Sequence, residues 1–84
     1  MDIELYRGYL NHYIKDALAN SDCSHSGITE HLQSIKVSGI LVRHKAEKKR
    51  AREDAINAFQ DHRHWPLEII ISHLGLDRED LIPS

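Results

Sequence analysis

The densest chemistry in this 84-residue chain is the run Arg43-His44-Lys45-Ala46-Glu47-Lys48-Lys49-Arg50-Ala51-Arg52, with six Lys/Arg in ten positions. On a helix, Lys45, Lys48, Lys49 and Arg52 fall within about 100° of one another, and Arg43 and Arg50 lie nearly opposite. A row of ammonium and guanidinium groups at this spacing can follow a phosphate backbone, releasing counterions and making affinity salt-dependent. The same row can instead be a solvated face or dock on an acidic protein, since Glu47, Glu53 and Asp54 offer pairs three or four residues away. Residues 37–58 contain no Phe, Tyr or Trp, which argues against a surface that stacks on single-stranded bases.

A second set of residues suits protein contacts. Tyr6, Tyr9 and Tyr13 recur at helical spacing, and Trp65 stands directly before Pro66. Core packing accounts for such residues first. Tyrosine and tryptophan are also enriched at protein interfaces, because they bury area while keeping a polar handle.

Metal binding and catalysis have less to build on. Of seven histidines, only His62 and His64 lie close in sequence, and on a helix their rings would point about 160° apart. None repeats at the four-residue spacing of helical zinc pairs, and no cysteine cluster accompanies them. Cys23, the only cysteine, lies in a Ser/Asp/His loop with the ingredients of a thiol nucleophile, but a base and an orienting group must also converge on it. No glycine-rich phosphate loop is present. The expectation is a non-enzyme with no cofactor and no metal site.

These residues must be held by helices. Ile3, Tyr6, Leu10, Tyr13, Ile14, Ala17 and Leu18 step by three and four, and Asp2 can cap the start, so the pattern predicts a helix over 2–19. Asn20 to Gly27 reads as a loop, because its Ser, Asn and Asp side chains compete with the helical ladder. Ile28, Leu32, Ile35 and Val42 mark one face, and Ile40, Ala51, Ala55 and Ala58 another roughly 140° away, with Ser38-Gly39 at the change. The reading is two helices, 28–37 and 40–61. One long helix burying two faces, and a short strand at 35–42 from the β-branched Ile35, Val37, Ile40 and Val42, are the alternatives. A last helix over 66–74 starts at Pro66 and stops at Gly75, with Asp77 capping a short C-terminal turn. The spacing from Leu67 to Leu81 resembles a helix-turn-helix in outline. Ile71, however, stands where that motif wants a small residue, and Asp77-Arg78-Glu79-Asp80 would repel phosphates. A structural helical corner fits better.

The sum is an all-α fold, a small bundle of three to four helices forming a single helical domain over 1–84. Residues 1–42 carry a net charge of −2, residues 43–64 +3 and residues 65–84 −3, a segregation that calls for an explanation. No apolar run approaches the roughly 20 residues of a membrane span, the N-terminus lacks a signal-peptide pattern, and a lone thiol suits a reducing compartment. A cytoplasmic location with no membrane partner is expected. The functional expectation is a helical binding protein that regulates, inhibits or adapts a larger protein. Its size and style are those of phage or mobile-element accessory factors, and a homodimer is possible. The alternative is a dimeric DNA- or RNA-binding regulator using the basic 43–52 helix.

Overall fold

A computed structural model describes residues 1–37 and 43–81. Four α-helices, α1 (Ile3–Ala19), α2 (His25–Ser34), α3 (Lys45–Asp61) and α4 (Leu67–His73), precede a short 3-10 turn, Arg78–Leu81. The fold is all-α, with no strand among the described residues.

The first helix forms as its periodicity predicts. The Asp2 carboxylate accepts the Glu4 and Leu5 amides at 2.9 and 3.2 Å, satisfying two of the free donors at a helix start. Leu10, Ile14, Ala17 and Leu18 turn inward. Asn20 ends the helix, with its backbone N–H and its Nδ2 both donating to the Asp16 carbonyl.

The second helix starts and stops earlier than 28–37. Its start is set by polar residues read as loop. Ser24 Oγ accepts the Gly27 amide at 3.0 Å, while Asp22 Oδ1 accepts both the backbone N–H and the hydroxyl of Ser24. Side chains that disfavour a helix interior are good helix starters. Cys23 turns the chain at φ 62°. A Cβ at Gly27 would run into the Asp22 carboxylate and Ser24 Oγ, so the cap itself requires glycine there. At the other end Ile35 is already extended, at φ −73° and ψ 124°. The single long helix is therefore ruled out, and residues 35–37 belong to no strand. The expected break at Ser38-Gly39, and the rest of the 35–42 strand alternative, lie outside the described residues.

The third helix begins at Lys45 rather than 40, because His44 is left-handed at φ 58° and that conformation cannot continue a right-handed helix. Ala51, Ala55, Ala58 and Phe59 form its buried face. The small alanines let α1 and α2 approach closely, and α3 packs against both. Beyond Pro66, α4 buries Ile70 and Ile71. It ends at Gly75 (φ 79°), with the Leu76 amide donating to the Ile71 carbonyl and the Gly75 amide to that of Ser72, the paired bonds of a Schellman cap. Asp77 then caps the 3-10 turn by accepting the Glu79 amide, and this turn seats Leu81, fully buried, against α1 and α4. Leu10, Ile14, Ile28, Leu32, Phe59, Ile70, Ile71 and Leu81 are the largest fully buried side chains. Among the described residues, no helix is long and apolar enough to cross a membrane.

Candidate interaction surfaces

The six cations of the 43–52 run take different parts. Arg52 is half-buried, and its Nη1 donates to the Ile35 carbonyl at 2.6 Å. It thereby caps the end of α2 and fixes that end against α3. Lys48, also half-buried, holds its ammonium 5.3 Å from the centre of the Tyr9 ring, within cation–π range. Arg50 is exposed and pairs with Asp54 one turn on, at 3.2 Å. Arg43, Lys45 and Lys49 are exposed, and none joins an ion pair among the described residues. The stripe of Lys45, Lys48, Lys49 and Arg52 is thus brought together as the spacing predicts. Its inner members are occupied by the fold, Lys48 against Tyr9 of α1 and Arg52 against the end of α2.

The tyrosine ridge is divided in the same way. Tyr13 lies in the core, and burial, followed by the neighbouring Tyr9, pushes its hydroxyl pKa up. Tyr9 stacks on Tyr13 with centroids 6.3 Å apart. Tyr6 donates its hydroxyl to Asp54 Oδ2 at 2.5 Å, joining α1 to α3. Burial and then this bond push the Tyr6 hydroxyl up to about 12, because ionising it would place an anion beside a carboxylate in a partly desolvated site. Of the three, only Tyr6 and Tyr9 retain partial exposure.

Trp65 stands at the corner between α3 and α4. Its ring stacks on His62 at 3.9 Å and 14°, and His73 meets both rings edge-on at 5.0 and 5.5 Å. The Trp65 carbonyl accepts from His25 Nε2 at 2.7 Å, and since a carbonyl only accepts, the proton is on Nε2. His25 also packs edge-on against Phe59. One corner therefore gathers the start of α2, the end of α3 and the start of α4. Trp65 still leaves 38% of its surface in solvent, and Ile69, on the outward side of α4, leaves 51%. His62 with Trp65 is a local three-residue step, but His25 arrives from α2, 40 residues away, and His73 from the far end of α4, and no spacing in the sequence announces them.

The remaining candidates do not assemble. Cys23 is exposed, with Sγ 3.4 Å from the Leu18 carbonyl. His25, its nearest histidine in sequence, is directed to Trp65 instead. His31 Nε2 lies 2.8 Å from Asp16 Oδ2, where it ties α2 to α1. Among the described residues, no group of three or more His, Cys, Asp or Glu side chains could hold a metal ion. Comparison of the chain with protein families, curated proteins and solved structures found no match.

Proposed function

We propose that the chain is a small non-enzymatic helical binding protein that regulates, inhibits or adapts a larger protein through its α3–α4 corner. The observation that carries this reading is the exposure of Trp65 and Ile69 while their neighbours Ile70 and Ile71 are fully buried. Singly exposed large apolar side chains are ordinary on a protein surface. Trp65, however, is held in place by His62, His73 and the His25 bond, and a rigid aromatic anchor loses little entropy when a partner closes over it. Arg63, His64 and Glu68 are exposed beside it, giving the polar rim that surrounds an interface core.

The test is a photo-crosslinking residue at position 69 in the native host, followed by reconstitution with whatever protein is trapped. Ile69→Glu should weaken the reconstituted complex by about tenfold or more with the thermal midpoint of the free chain unchanged. A trapped protein that binds the wild type and Ile69→Glu equally well would overturn the reading.

A further inference from the structure

A groove of about 760 Å³ runs between α2 and the C-terminal end of α3. Its floor is Phe59, with the His25 ring packed edge-on against it at 6.0 Å. Its walls are Thr29, Glu30 and Gln33 of α2, Gln60 of α3, and Arg63 just beyond. Polar side chains elsewhere are committed to partners within the fold, as Tyr6 is to Asp54 and His31 to Asp16. Those of the walls are not. None of the five joins an ion pair or a side-chain hydrogen bond among the described residues.

The groove opens onto the Trp65 corner. His25, at its mouth, donates to the Trp65 carbonyl at 2.7 Å, and Arg63 precedes Trp65 by two residues. Going along α2 from His25, Glu30 comes about 8 Å and Gln33 about 12 Å further, at 1.5 Å per residue. A cation therefore stands at the corner end and an anion part-way along.

We infer that this groove takes an extended segment of the same protein that closes over Trp65 and Ile69, with an acidic residue opposite Arg63 and a basic one opposite Glu30. The inference rests on the protein-binding reading of the corner and names the partner's chemistry there. A docked helix hides its own main-chain groups and needs a row of apolar recesses for its anchors, and apart from Phe59 and His25 the lining is polar. An extended chain presents free N–H and C=O groups. Gln33 and Gln60 can each donate and accept, and the Thr29 hydroxyl does the same, so the walls can meet such a chain. A length of about 12 Å holds about four extended residues. The order of the charges sets the direction. The acidic residue of the partner lies next to the apolar one that covers Trp65, and the basic residue two or three positions further on, at about 3.3 Å per residue. Such pairs give orientation more than affinity. With one charge of each sign, the groove favours no polyanion.

The experiment places a photo-crosslinking residue at position 33 of the full chain, beside the one at 69. A control goes at position 8, where an exposed glycine of α1 has open space for a side chain. Positions 33 and 69 should trap the same protein, and position 8 should not. The joined peptides should map to one extended stretch of about ten residues, the four of the groove and those covering the corner. In the reconstituted complex, Arg63→Glu and Glu30→Lys should each raise Kd about two- to fivefold, with the thermal midpoint of the free chain unchanged. Reversing the facing charge in the trapped segment should recover the loss. The inference is overturned if position 33 traps nothing, or a different protein, while position 69 traps a partner, and that outcome leaves the reading of the corner standing. Crosslinks that fall on a helix or on remote parts of the partner's sequence overturn it too, as does unchanged affinity in both charge variants. Failure to trap anything at 69 removes the reading of the corner and the inference with it.

Discussion

At the start of α2, Ser24 receives the Gly27 amide and is itself held by Asp22, whose carboxyl lies below its ordinary range chiefly because the Ser24 hydroxyl donates to it. At the start of α3, His44 sits in the left-handed region, caps nothing, and is followed by lysines. Both helices fold, so a helix start need not satisfy its local rules when packing supplies the energy. Ala51, Ala55, Ala58 and Phe59 bury α3 against α1 and α2, whereas α2, shorter and with only Ile28 and Leu32 fully buried, has more need of its cap. The difference rests one entrance on its cap and the other on the packing behind it.

The largest effect expected from breaking this contrast comes from Arg52, which belongs to the basic run but serves the α2 end. Arg52→Ala leaves the Ile35 carbonyl without its charged donor and should lower stability by about 2 kcal/mol, read as a shift of the urea midpoint. A midpoint within error of wild type would mean that Arg52 is simply another surface cation.

Next in size is the α2 cap. Ser24→Ala removes the acceptor of the Gly27 amide and should cost about 1 kcal/mol. The matching change at α3 has the opposite sign. His44→Gly removes a Cβ from a left-handed position and should raise stability by about 0.7 kcal/mol, less whatever the greater freedom of the unfolded glycine takes back. Destabilisation at both sites would erase the contrast between the two entrances, and His44 would then be a structural residue, held through its approach to Tyr9 at 6.3 Å.

How much of this was legible in the sequence follows the same division. Repeating apolar residues predicted α1 to within a residue, and Pro66 with Gly75 bracketed α4, because each signal is a local steric or packing fact. The bounds of α2 were misplaced by three residues at both ends. Ser24 was read as a loop former when it is a cap, and Ile35 as a helical core residue when it leaves the helix to meet Arg52. The α3 start was placed five residues early, since a left-handed histidine has no sequence signature. Among the site residues, charge spacing put Lys45 and Lys49 on a common face. It could not distinguish them from Lys48 and Arg52, whose partners, Tyr9 and Ile35, come from other helices. The arrival of His25 and His73 at the Trp65–His62 stack escapes the sequence for the same reason.

The smallest expected effect bears most directly on why α3 begins as it does. Lys45→Glu exchanges a cation for an anion in the first turn, where the exposed end of the helix favours negative charge, and should stabilise the chain by about 0.4 kcal/mol at low salt. The gain should fade as salt screens it, so thermal midpoints of wild type and variant should converge with rising ionic strength. A stabilised chain would show that Lys45 is unfavourable for the helix that it begins. If Lys45→Glu instead destabilised the fold, the lysine would have a structural partner that outweighs its cost at the helix end.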